Sequence, residues 1–96
     1  MEITTGKAHS EYVDVTELGV ELPDRPCLFV KLENWDLLED FATAQPADIY
    51  WGHEGRFAHK LAAGGNSELL PVANTNTIIA RTKAGQTARL YFTWFK

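Results

Sequence analysis

Apolar and polar residues alternate with a period of two along much of this chain, most clearly at its C-terminal end. Ala88, Leu90, Phe92 and Trp94 fall on one side of an extended segment, while Arg89, Tyr91, Thr93 and Phe95 fall on the other. Upstream, Thr77-Ile78-Ile79-Ala80-Arg81-Thr82 is β-branched and short. Between the two, Lys83-Ala84-Gly85-Gln86 supplies a turn with Gly where φ can be positive. The pattern predicts an antiparallel hairpin over residues 77–96. Its first face is a core face. Its second carries two aromatics that need either a second layer or a partner.

The same period recurs earlier. Tyr12-Val13-Asp14-Val15 alternates like a strand with Val13 and Val15 inward, and Thr16 to Gly19 reads as a turn into the brief extended piece Val20-Glu21-Leu22. Pro23-Asp24-Arg25-Pro26 breaks the chain, because each Pro removes a donor and fixes φ. The following run, Cys27 to Glu33, predicts a central strand facing the C-terminal one, with Leu28, Val30 and Leu32 on one side and Cys27, Phe29, Lys31 and Glu33 on the other. Asp48 to Gly52 predicts a strand entering a Gly-His-Glu-Gly turn, after which Phe57 and Leu61 are the members expected to be buried. Gly64-Gly65-Asn66-Ser67 predicts a hairpin turn, Glu68 to Val72 an edge strand or bulge on account of Pro71, and Ala73 to Asn76 a further turn.

Two segments depart from this period. Met1 to Ser10 is polar without sustained alternation and reads as an N-terminal arm, frayed in a lone monomer or folded on a neighbour. From Asn34 to Ala47, Trp35, Leu37, Leu38 and Phe41 interleave with acids at roughly helical spacing, with Asn34 as a possible cap and Pro46 as a stop. This insertion is either a short helix plugging one end of the fold or a partner-contacting loop. In sum, about seven or eight short strands with turn signals every ten or so residues predict an all-β chain, an antiparallel β-sandwich or jelly roll spanning 11–96, with a small open barrel as the competing architecture.

Composition narrows the function classes. Ninety-six residues, with 45% hydrophobic and 23% charged, make one domain with a single core. The net charge is −4 and the nine basic residues are scattered, so neither a nucleic-acid groove nor an anionic membrane is expected as partner. No apolar run is long enough to span a bilayer, and no signal peptide is visible. The single cysteine, Cys27, reads as a buried thiol in a protein folded in a reducing cytoplasm.

Candidate chemistry is sparse. His53 and His59, with Glu54 beside the first, fall short of the about three or four closely placed ligands that zinc requires, and both read as residues of a wet loop. No nucleophile elbow or phosphate loop is present. No catalytic, metal or cofactor site is therefore expected, and the protein reads as non-enzymatic. The aromatics are what remains. Trp51 and Trp94 suit a core, whereas Trp35, Phe41, Tyr91 and Phe95 suit a surface covered in an assembly.

The order of short motifs adds a resemblance. Glu21-Leu22-Pro23, then Pro26 to Leu32, Asp48-Ile49-Tyr50-Trp51-Gly52, Leu61 with Gly64-Gly65-Asn66-Ser67, Pro71 to Ile78, and Gly85-Gln86-Thr87-Ala88-Arg89-Leu90 resemble small virion structural proteins of tailed bacteriophages. The resemblance covers about residues 20 to 92, and the Trp35 to Ala47 insertion departs from the shortest versions. Within that group the chain resembles jelly-roll decoration or cement proteins bound to the outer capsid surface. The resemblance implies a protein made in the host cytoplasm and carried on the virion. Its implied partners are the major capsid protein and neighbouring copies of itself, as a dimer or trimer. The expected interface residues are Trp35, Leu38 and Phe41 on the insertion and Tyr91 and Phe95 on the last strand, with the N-terminal arm beside them. The alternatives are a carbohydrate-binding β-sandwich using Trp35 and the Tyr50 to Arg56 region, or a tail or neck adaptor of the same fold.

Overall fold

A computed structural model describes residues 8–34, 47–53 and 56–96. The described chain is an antiparallel all-β sandwich of seven strands: β1 (Ala8–Val15), β2 (Val20–Glu21), β3 (Phe29–Asn34), β4 (Ile49–His53), β5 (His59–Leu61), β6 (Ile78–Arg81) and β7 (Ala88–Phe95). A three-stranded sheet has the order β1-β7-β3, and a four-stranded sheet the order β2-β6-β4-β5. β1 begins inside the stretch read as an arm. The helix or loop predicted around residues 35–45 lies outside the described residues.

The core follows the period-two pattern. Leu90 and Phe92 of β7 are fully buried and Trp94 nearly so, beside Val30 and Leu32 of the neighbouring β3 and facing Ile78 and Ala80 of β6 and Ile49 and Trp51 of β4, all within one apolar cluster. Val15 closes the cluster at the end of β1, with Val13 packed against it. Burial of such side chains is worth about 1.5–3 kcal/mol each, which is what sets the register of strands with one wet face.

The closing hairpin does not form. β6 and β7 lie in different sheets: β6 pairs with β2 and β4, while β7 pairs with β1 and β3. Each strand has an inner apolar face, and placing them in opposite layers lets those faces meet across the core. The intervening segment is an arch. Gly85 at φ 79 and the Gln86 N–H···O=C Lys83 bond of 3.0 Å turn the chain, and the buried Thr82 hydroxyl donates to the Gln86 carbonyl at 2.6 Å. The turn from β1 to β2 crosses between sheets alongside it, joined by Thr82 N–H to the Thr16 carbonyl at 3.2 Å and Gly85 N–H to Glu17 Oε1 at 3.0 Å. The β1–β2 and β7–β6 segments therefore form one antiparallel ribbon bent over both layers.

Gly64-Gly65-Asn66-Ser67 also carries the chain from one sheet to the other instead of closing a hairpin. Gly64 has φ 80, and the Gly65 N–H bonds the Ala62 carbonyl at 2.8 Å. The segment after it runs along the outer edge of β3. Val30 and Leu70 exchange N–H···O=C bonds of 2.9 and 2.8 Å, the Leu32 N–H donates to Ser67 Oγ at 2.9 Å, and the Asn34 N–H donates to the Gly65 carbonyl at 2.9 Å. β3, third in its sheet, is thus hydrogen-bonded on both sides, as a central strand would be. Instead of forming a regular strand, residues 68–72 make an isolated bridge at Leu70, where Pro71 ends the pairing.

Other details differ from the alternation. Leu28 is 64% exposed because the strand starts one residue later, its N–H reaching the Phe95 carbonyl at the end of the sheet at 2.8 Å. Asn34 is buried at the end of β3, where its Nδ2 donates to the Ala47 and Leu61 carbonyls at 2.7 and 2.9 Å. Ala73 to Asn76 includes the start of a 3-10 turn over Thr75–Thr77, capped by Asn74, whose Oδ1 accepts from the Asn76 N–H at 3.0 Å. Gly52 is obligatory, since a Cβ there would overlap the Arg56 carbonyl oxygen.

Candidate interaction surface

The outer face of the three-stranded sheet carries Tyr12, Phe29, Tyr91 and Phe95, aromatic residues that lie outside the core. Register places Ala8, Phe95 and Phe29 in one row across β1, β7 and β3, then Ser10, Thr93 and Lys31, then Tyr12, Tyr91 and Glu33, and finally Asp14 with Arg89. Tyr12 is 50% exposed and Phe29 41%, while Tyr91 and Phe95 on the middle strand are half-buried by their neighbours. Leu69, 53% exposed, precedes the inward-packed Leu70 and so takes the outward parity beside β3.

This face is braced from within. The Tyr12 and Tyr91 rings lie 5.3 Å apart at 42°, and the Arg89 guanidinium sits 4.2 Å over the Tyr12 ring while its Nε donates to Asp14 Oδ1 at 3.3 Å. The Ser10 and Thr93 hydroxyls hydrogen-bond at 2.9 Å. Asp14 and Glu33 balance Lys31 and Arg89, so the face is close to neutral and its chemistry is rings with polar tips. Such a surface suits a protein partner better than an anion.

Of the five predicted interface residues, Tyr91 and Phe95 lie on this face, and Trp35, Leu38 and Phe41 lie outside the described residues. Tyr12, Phe29 and Leu69 were not among the predicted interface residues. For the first two the signal was present: Tyr12 alternates with the inward Val13, and Phe29 lies opposite the inward Val30.

The histidines are not on a loop. His53 and His59 flank Trp51 on paired strands β4 and β5, with His59 stacked on the indole at a 4.5 Å centroid distance and His53 edge-on at 5.9 Å. No group of three or more potential metal ligands occurs among the described residues. Trp51 and Trp94 are both core residues, each 6% exposed. Cys27 is half-buried, its thiol donating to the Val72 carbonyl at 3.2 Å, and burial raises its pKa above the ordinary value. On the other sheet, Glu17, Tyr50, Phe57, Arg81 and Lys83 line a shallow open depression of about 520 Å³. Both of its cations lie over rings, Arg81 at 4.2 Å from Phe57 and Lys83 at 5.9 Å from Tyr50.

No protein-family model matches the chain, and no curated protein matches it.

Proposed function

We propose that this chain is a non-enzymatic virion structural protein of a tailed bacteriophage, a decoration or cement protein that docks on the major capsid protein. The observation that carries the reading is the set of aromatic residues on one face of the three-stranded sheet, with Tyr12 and Phe29 exposed and Tyr91 and Phe95 half-buried between them. A shell stabiliser performs no reaction. It needs a stiff scaffold and a surface complementary to its neighbour, and many copies acting together turn modest individual affinity into stability by mass action and avidity. The order of motifs from residue 20 to residue 92 supports the same role. For the glycan-binding alternative, Trp51 is buried beneath His59 rather than presented as a platform, and Trp35 lies outside the described residues.

The test is co-sedimentation with expanded capsids of the parent virus. The wild-type chain is expected to pellet with the shells, and a Phe29→Glu variant to remain in the supernatant while keeping its fold. Failure of the wild-type chain to bind would overturn the reading.

A further inference from the structure

β1 leaves one whole edge of its sheet without a partner among the described residues, and the alternation of hydrogen bonds says which groups are left over. Val30, Leu32 and Asn34 of β3 point their N–H groups away from β7, so Lys31 and Glu33 exchange bonds with Thr93 and Tyr91. On β7, Phe92 and Leu90 must then exchange with Glu11 and Val13 of β1. The N–H and C=O groups of Ser10, Tyr12 and Asp14 therefore face outward, all on exposed residues. The run of eight paired residues from Ala8 to Val15 is continuous, without Pro, Lys or bulge to blunt it. Glu11, a charge on the inward side, is partly offset by Arg25, whose Nε and Nη2 donate to its carboxylate at 2.6 and 3.2 Å.

We propose that this edge pairs antiparallel with the same edge of a second copy, across a two-fold axis at Tyr12, joining two three-stranded sheets into one of six. Charge selects the register. With Tyr12 opposite Tyr12 of the second copy, Ser10 meets Asp14, Glu11 meets Val13, and no like charges oppose each other. Sliding toward the N-terminus sets Glu11 against Glu11, which cross-strand repulsion disfavours. Sliding the other way loses backbone bonds. In the chosen register the three outward residues of each copy are all bonded, and the tyrosine pair of each copy continues into a four-ring row across the axis. The contact is isologous and closes on itself, so it yields a dimer rather than a fibre. The inference stands apart from shell binding, since a dimer can form without capsids and capsids can be bound by a monomer. If both hold, each particle presents the aromatic face twice.

The experiment is sedimentation equilibrium of the full chain from micromolar to millimolar concentration, with Ser10→Pro and Tyr12→Lys. Proline at an outward-facing edge position removes no bond to β7, and Tyr12→Lys places two cations together at the axis. Wild type is expected to reach twice the 10.8 kDa monomer mass. Ser10→Pro is expected to weaken the dimer by about 10- to 100-fold, because the symmetric contact loses two N–H donors. Tyr12→Lys, the second variant should the first not fold, is expected to stay monomeric. Oxidation of Tyr12→Cys in a Cys27→Ser background is expected to give a disulfide-linked dimer, since directly opposed strand positions lie within disulfide reach. A wild-type chain that stays monomeric throughout, folded variants that dimerise as wild type does, or a Tyr12→Cys chain that fails to cross-link would each overturn the proposal.

Discussion

The three-stranded sheet has two edges, and the chain treats them differently. Beside β3, residues 64–70 supply carbonyls, a serine hydroxyl and N–H groups that take up the outward backbone of Val30, Leu32 and Asn34. Beside β1, the outward groups of Ser10, Tyr12 and Asp14 meet nothing in the described residues. Both strands are bonded to β7 and each carries an exposed aromatic on the same outer face. The contrast therefore lies in the edges and not in the strands. A sheet that seals one side with its own chain and leaves the other without a partner among the described residues offers one direction for extension.

Substitutions can break or sharpen that contrast. The largest effect belongs to Phe92→Ala, in the strand that carries both edges. Emptying this fully buried site is expected to cost about 3–5 kcal/mol in urea unfolding, whereas Tyr91→Ala on the opposite face of the same strand costs about 1 kcal/mol. Next comes the same substitution on both edges. Val30→Pro removes a bonded N–H and is expected to cost about 3 kcal/mol or more, while Ser10→Pro costs the isolated chain under about 1 kcal/mol in chemical denaturation. Equal costs would mean the edges are alike.

Ser67→Ala is a milder break in the seal. It leaves the Leu32 N–H without its acceptor and is expected to cost about 1–2 kcal/mol. Cys27 reports on the same seal, because its N–H bonds the Ala73 carbonyl at 2.9 Å and its thiol bonds Val72. Burial raises the thiol pKa, so at pH 8 less thiolate is present than in the unfolded chain. Alkylation by iodoacetamide is expected to be about tenfold slower or more in the folded protein, and faster again in Ser67→Ala. The smallest effect is Asp14→Asn on the open edge, where losing the exposed pair to Arg89 is expected to change stability by less than about 0.5 kcal/mol, a difference that disappears at high salt.

The alternation of residues 88–95 displayed both faces of β7 correctly, down to the burial of Leu90, Phe92 and Trp94 and the outward placement of Tyr91 and Phe95. Sheet membership was not legible in the same way. Ile78 and Ala80 have the same inward pattern whether β6 pairs with β7 or faces it, and the Gly85 turn serves an arch as well as a hairpin. The strand predicted over Cys27 to Glu33 does lie against the C-terminal one, but the interactions that take β6 into the other sheet are non-local, such as Thr82 to Thr16 and β6 to β2 and β4, and no short-range signal carries them. Gly64 misled for the same reason. Tyr12 and Phe29 were placed on the correct side of their strands by period alone, but the sequence could not put them side by side with Tyr91 and Phe95, because that required the order β1-β7-β3.

The central claim, one sealed edge and one that pairs with a copy of itself, is tested most directly by residue-resolved amide hydrogen exchange at two protein concentrations. At low micromolar concentration the Val30, Leu32 and Asn34 amides are predicted to exchange slowly and those of Ser10, Tyr12 and Asp14 rapidly, with His9, Glu11 and Val13 protected between them. At millimolar concentration Ser10, Tyr12 and Asp14 are predicted to become protected too. Their protection at both concentrations would mean that the chain covers its own edge, and fast exchange at both would mean that no second copy binds there.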